Sequence, residues 1–179
     1  MVHISVLSHI QNNQLAMLLS QNISRSFNLI NLASKPISFY ESNNPCVILS
    51  CADVPISSNI KRNILVLDNF IEQKIEINPP QHSIAIISSS NRHHRDFVLT
   101  HSLPSITYGF SSKDTVTISS NNENTVVLSL VRNVTSIFKT VIEPFDFPLK
   151  ISKDTSIYNI MASFITSILI ENFEKYSLI

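Results

Sequence analysis

A single glycine, Gly109, serves all 179 residues. Loops that cradle phosphates turn their backbone inward at positions where a Cβ would collide, so they draw on several glycines. Ordinary nucleotide-binding loops are therefore closed to this chain, whatever else it folds into. Apolar residues at 44% against charged residues at 15% exclude a disordered tail. The length predicts one domain, residues 1–179, able to bury about 70% of its unfolded surface. Lys plus Arg, 13, balance Asp plus Glu, 13. No field of one sign exists to steer a polyanion, so neither nucleic acid nor an acidic membrane is expected as a partner.

Cys46 and Cys51 form a lone C-x4-C with no second pair, so no zinc or redox site is expected. His3 and Ser5 interrupt the first apolar run and no basic segment precedes it. This predicts a chain without a signal peptide, at home in a reducing cytoplasm. The longest apolar stretch, residues 156–170, contains Asn159, Ser163, Thr166 and Ser167. It falls short of the roughly 20 residues that span a bilayer.

Continuous apolar runs at residues 3–7, 46–50, 63–67 and 83–87 read as strands covered on both faces, hence parallel. Leu15, Leu18, Leu19 and Ile23 stand at helical spacing after the first run. Phe97 and Val98 anchor a second helix within residues 91–102, and a strand at residues 106–108 ends at Gly109. Beyond it the pattern alternates, as in an antiparallel meander with one wet face. Pro144 and Pro148 place residues 145–150 at an edge. Asp154 or Thr155 can cap a closing helix with a stripe of Ile157, Ile160, Met161, Phe164, Ile165 and Ile168. The sum is an α/β fold. Residues 1–110 form a mostly parallel sheet flanked by helices, residues 111–150 an appended antiparallel β-meander, and residues 154–175 a closing helix.

Three segments, in this order, resemble the central, ATP-binding domain of the Mur ligases. Residues 4–19 align with that family's strand, P-loop and first helix. Leu103-Pro104-Ser105-Ile106-Thr107-Tyr108-Gly109-Phe110 is similar to its "I-T-Y-G-F" strand end, and Tyr158-Asn159-Ile160-Met161-Ala162-Ser163 to its "Y-N-x-L-A-A" helix start. The resemblance implies a P-loop-like α/β fold, amide-bond ligation in cell-wall synthesis, and ATP with Mg²⁺.

The departures bear on that chemistry. The family's loop reads T-G-T-N-G-K-T/S-T, against Ser8-His9-Ile10-Gln11-Asn12-Asn13-Gln14-Leu15 here. Both glycines are gone. Asn13 stands in place of the phosphate-binding lysine, and Gln14 in place of the Mg²⁺-binding hydroxyl. A lysine offsets the charge of a transferring phosphoryl group; an asparagine does not. The family's Mg²⁺-binding glutamate follows the next core strand, where Asp53 is the candidate displaced carboxylate. Leu67-Asp68-Asn69-Phe70 aligns loosely with the family's T-N-x-x-x-D-H and lacks its Asp-His pair. The family also carries an N-terminal UDP-sugar domain and a C-terminal domain, for which 179 residues leave no room. The expectation is a stand-alone, degenerate central domain that uses neither ATP nor Mg²⁺.

Arg92, His93, His94 and Arg95 form a basic patch that reads as an anion or partner contact, or as a solvated helix face. No catalytic residue is assigned. His9, Gln11, Asn12, Asn13, Gln14, Asp53, His93, His94 and Asn159 are the candidates for ligand or partner contact. The expected function is a binding or regulatory module acting through protein contacts, as a homodimer or with a cell-wall enzyme. Two alternatives stand beside it. One is an ATP-dependent ligase subunit completed by a partner chain. The other is a small-ligand binder whose neutral polar loop suits an uncharged ligand.

Overall fold

The computed structural model describes residues 1–8, 14–32, 38–40, 45–51, 60–122, 124–151 and 155–177. Its elements are β1 (Val2–Leu7), α1 (Gln14–Ser24), β2 (Asn28–Asn31), β3 (Ser38–Tyr40), β4 (Cys46–Cys51), β5 (Asn63–Leu67) and β6 (Ser83–Ser88). There follow α2 (Arg92–His101), β7 (Ser105–Tyr108), β8 (Val116–Asn122), β9 (Thr125–Leu130), β10 (Val134–Thr135), β11 (Val141–Ile142), β12 (Phe145–Lys150) and α3 (Ile157–Leu169). A 3₁₀ turn, Phe173–Lys175, closes the list.

Among the described residues, ten strands form one sheet in the order β12-β9-β8-β7-β6-β5-β1-β4-β2-β3. Every neighbouring pair from β2 to β8 is parallel, and β3, β9 and β12 are antiparallel to their neighbours. The mostly parallel α/β fold read from the sequence is the one found. The meander differs in one respect. β10 and β11 do not extend it but pair with each other as a separate two-stranded ribbon. β12 then returns beside β9, its Pro148 on the edge strand where a missing N–H costs no ladder bond.

The continuous apolar runs are explained by burial on both sides of the sheet. Val2, Ile4, Val6, Ile64, Val66 and Ile86 face the larger core beneath α1 and α3. Leu65, Leu67, Ala85 and Ile87 face a smaller one beneath α2, closed by Phe97 and Val98. A one-residue shift in register would exchange these two faces, so the register is strongly specified.

The closing helix is buried on every side from Asn159 to Leu169, not along a stripe alone. It tolerates its hydroxyl residues because each bonds the helix's own backbone. Ser163 donates to the Ile160 carbonyl, Thr166 to Ala162 and Ser167 to Ser163. Phe145, Phe147 and Tyr176 pack their rings around Phe164 at centroid distances of 5.1 to 6.0 Å. The helix starts from Ser156, whose side chain makes no capping bond, and Asp154 lies outside the described residues. It ends at Leu169, short of the expected residue 175.

Scarcity of glycine shows in the backbone. His82, Ser102, Lys139 and Glu171 occupy positive φ, at 56°, 51°, 74° and 58°. Ser102 and Glu171 end α2 and α3 in the left-handed turn that glycine usually supplies. The amides of Ser102 and Leu103 reach the Leu99 and Val98 carbonyls. Those of Glu171 and Asn172 reach Ile168 and Ser167.

Candidate functional site

β1 lies between β4 and β5, with the strands that follow it in the chain, β2 to β4, on one side of it in the sheet and β5, β6 and β7 on the other. Open α/β sheets bind ligands outside the carboxyl ends of strands at such a switch point. The described residues there are Ser8, Gln14 at the start of α1, the turn from Asp68 after β5, residues 88–94 after β6, and Tyr108 to Asp114 after β7.

A web of bonds holds the ends of β5, β6 and β7 together. The Asp68 amide donates to the Leu7 carbonyl at 2.9 Å, and its buried carboxylate accepts from the Phe70 amide at 3.1 Å. The Tyr108 hydroxyl donates to the Leu67 carbonyl at 2.8 Å. Burial, with the Asp68 charge nearby, keeps that phenol protonated far above its usual range. Asn91 caps α2 by accepting from the His93 and His94 amides and spends its own NH₂ on the Asn69 and Ile71 carbonyls.

Gly109 is glycine for want of room, since its φ is not in the left-handed region. A Cβ there would stand 2.6 Å from Asp114 Oδ2 and 2.8 Å from Ser89 Oγ. Asp114 is itself buried and accepts from the Ser111 amide at 3.0 Å. The chain's one glycine thus lets a buried carboxylate close over the end of β7.

Beside this edge, the Tyr158 ring at the start of α3 meets exposed Phe110 edge-on at 5.4 Å and Tyr108 at 6.5 Å. The next residue, Asn159, is 1% exposed, and neither its amide nitrogen nor its amide oxygen has a hydrogen-bond partner among the described residues. A buried amide with both ends open is costly, and in native proteins it calls for a specific explanation.

His9, Gln11, Asn12, Asn13 and Asp53 lie outside the described residues. Gln14 is exposed as the first residue of α1, and His93 is half-buried in the first turn of α2. His94 is corrected. It is wholly buried, not solvated, and cannot offer a lone pair to a metal or a proton to an anion. Its Nδ1 accepts from the Ser88 amide at 3.1 Å and its Nε2 donates to the Asp68 carbonyl at 3.1 Å. Asp68, Tyr108 and Asp114 were missed as parts of this edge. The one sequence signal was a carboxylate directly after an apolar run, at Asp68.

A second polar cluster lies inside the sheet. The Ser50 hydroxyl is 2.8 Å from His3 Nε2, and His3 Nδ1 is 3.1 Å from Asn63 Oδ1. The order mimics a nucleophile, base and orienting group. All three residues are 3% exposed or less. Their evident work is to tie β4, β1 and β5 together.

A polyphosphate does not fit the described donor set. Asp68 and Asp114 place carboxylates at this edge, and the Arg95 guanidinium is turned onto the Ser89 carbonyl. Among the described residues no cluster of His, Cys, Asp or Glu could hold a metal. No described helix is long and apolar enough to cross a membrane.

No family model matches the sequence, and no curated protein matches it. Solved structures do match the fold. One is a UDP-N-acetylmuramoyl-L-alanyl-D-glutamate–2,6-diaminopimelate ligase, with a TM-score of 0.64 at 9% identity, covering 98% of this chain and 45% of that one. A second is the UDP-N-acetylmuramate:L-alanyl-gamma-D-glutamyl-meso-diaminopimelate ligase from Neisseria meningitides, with a TM-score of 0.55 at 8% identity, covering 98% and 64%. A third is a murein peptide ligase from Psychrobacter arcticus, with a TM-score of 0.54 at 10% identity, covering 93% and 43%. The fold is that of a Mur ligase central domain. The chain spans less than two thirds of the length of each of these structures.

Proposed function

We propose that this chain is a non-catalytic binding module on a Mur-ligase-like fold, which has given up ATP turnover and acts through contacts with a protein partner in the cytoplasm. One observation carries the reading. Residues 8–15 keep the strand-to-helix setting of a phosphate loop while holding no glycine, no lysine and no hydroxyl at residues 13 and 14. A turn without glycines to let its amides face inward, and without an ammonium group, lacks what the sequence of a phosphate loop supplies to stabilise a triphosphate. The carboxylates of Asp68 and Asp114 support the same reading, since they oppose a polyanion.

A second reading is favoured by Asn159. Its buried donor and acceptor, without a partner among the described residues, support a binder of an uncharged polar ligand that would have to open this part of the protein to reach them. Calorimetric titration of the protein with ATP and Mg²⁺ tests the main reading. The expected result is no saturable heat at millimolar nucleotide. Micromolar binding overturns it and returns the chain to the ligase subunits completed by a partner, with Asp53 the carboxylate to substitute first.

A further inference from the structure

Two buried histidines tie strands together, and they differ in what a proton would do to them. Asn63 spends its NH₂ on the Ile60 and Gln81 carbonyls, so its oxygen accepts from His3 Nδ1–H. His3 Nε2 is left to accept from the hydroxyls of Ser50 and Ser5, at 2.8 and 3.2 Å. A hydroxyl can rotate and accept instead of donate, so a proton arriving on Nε2 keeps a partner.

His94 has no such freedom. A backbone amide, Ser88 N–H, points at its Nδ1, and a backbone carbonyl, Asp68 C=O, takes its Nε2–H. The neutral Nε2–H tautomer is thereby imposed. A proton on Nδ1 would set two N–H groups head to head inside the protein, and neither can turn away.

The titratable and charged groups on the elements packed against this ring act both ways: the bond to the Asp68 carbonyl favours its proton, while burial, the larger effect, and the His93 charge oppose it. From α2 come His93, whose charge opposes a second one, Arg95, bound to the Ser89 carbonyl, and exposed Asp96. From the end of β5 comes Asp68, whose carboxylate caps the Phe70 amide. From β7 comes the Tyr108 phenol, committed to the Leu67 carbonyl. β6 presents the uncharged Ser88.

We propose that His94 is an acid-released latch of the carboxyl edge: its protonation frees residues 68–71 and the first turn of α2 while β1, β4 and β5 stay paired. The same contacts explain what moves. Asn91 ties the capping turn of α2 to Asn69 and Ile71, so losing His94 strains both sides of the switch-point edge together. Burial, the largest effect, lowers the His94 pKa to about 4, so the latch stays shut at neutral pH. This inference does not depend on which ligand or partner the edge receives.

Amide hydrogen exchange followed by NMR tests it, alongside titration of the His94 ring nitrogens. From pH 7 to pH 4.5, the Phe70, Ile71 and Ser88 amides should lose at least tenfold in protection relative to those of Ile4 and Leu49. In His94→Asn, whose oxygen can accept from Ser88 N–H without titrating, that differential loss should vanish. Uniform loss across all strands, or a local loss that persists in His94→Asn, overturns the proposal. Titration of His94 at an ordinary histidine value, or with Nδ1 protonated at pH 7, overturns it from the wild-type protein alone, should the variant not fold.

Discussion

Asn159 bears a cost that nothing inside the described protein offsets. An amide of that size, 1% exposed with both polar atoms unengaged, forfeits its hydration and receives no bond in return. Replacing it with leucine, of similar volume, should raise the stability of the free protein by about 1–3 kcal/mol in urea unfolding. Unchanged or reduced stability would show that the amide is satisfied and is not an open recognition group. Gly109 presents the opposite case. In sequence it reads as the stop of a strand, yet its need is steric, set by Asp114 Oδ2 from five residues further on. No pattern of spacing could have announced that carboxylate, because only the turn of residues 111–114 brings it back.

Among the elements, helices α2 and α3 end without glycine. A left-handed residue with a Cβ costs roughly 1–2 kcal/mol, partly balanced by the extra freedom glycine has in the unfolded chain. Ser102→Gly should therefore stabilise the protein by about 0.5–1 kcal/mol, seen as a higher urea midpoint at unchanged slope. Glu171 is the poorer choice for this test, because its carboxylate also accepts from Ser136 Oγ at 2.5 Å. Strands β1, β4, β5 and β6 were legible as apolar runs, since burial on both faces leaves little else to read. The β10–β11 ribbon was not legible. Two residues per strand carry too little alternation to reveal their partner.

For the whole molecule, buried neutral histidines set the acid limit. His94 in the unfolded chain takes up a proton near pH 6.5, while the folded protein resists until about pH 4. Its folded pKa is depressed, so its stabilising contribution is complete above about pH 6.5 and is lost as pH falls toward 4, by about 3 kcal/mol at the lower end. His3 is shifted in the same direction by burial and adds to the trend. Urea unfolding at pH 7.5, 6 and 5 should show the decline; a flat profile would mean that both rings are solvated or already charged. The candidate site was half legible. The lost glycines and lysine of residues 8–15 and the Asn159 motif stand in the amino-acid order itself. His94 was misread as surface because two arginines and a histidine surround it in the chain. Burial depends on which way a helix faces the sheet, and local charge does not report that. The amino-acid order alone settled the α/β class and the want of glycine and lysine in residues 8–15, because period, propensity and residue type are carried locally. Tertiary structure alone decided which carboxylate closes over Gly109, which histidine is locked and which amide is left open, because those depend on groups far apart in sequence meeting where water cannot follow.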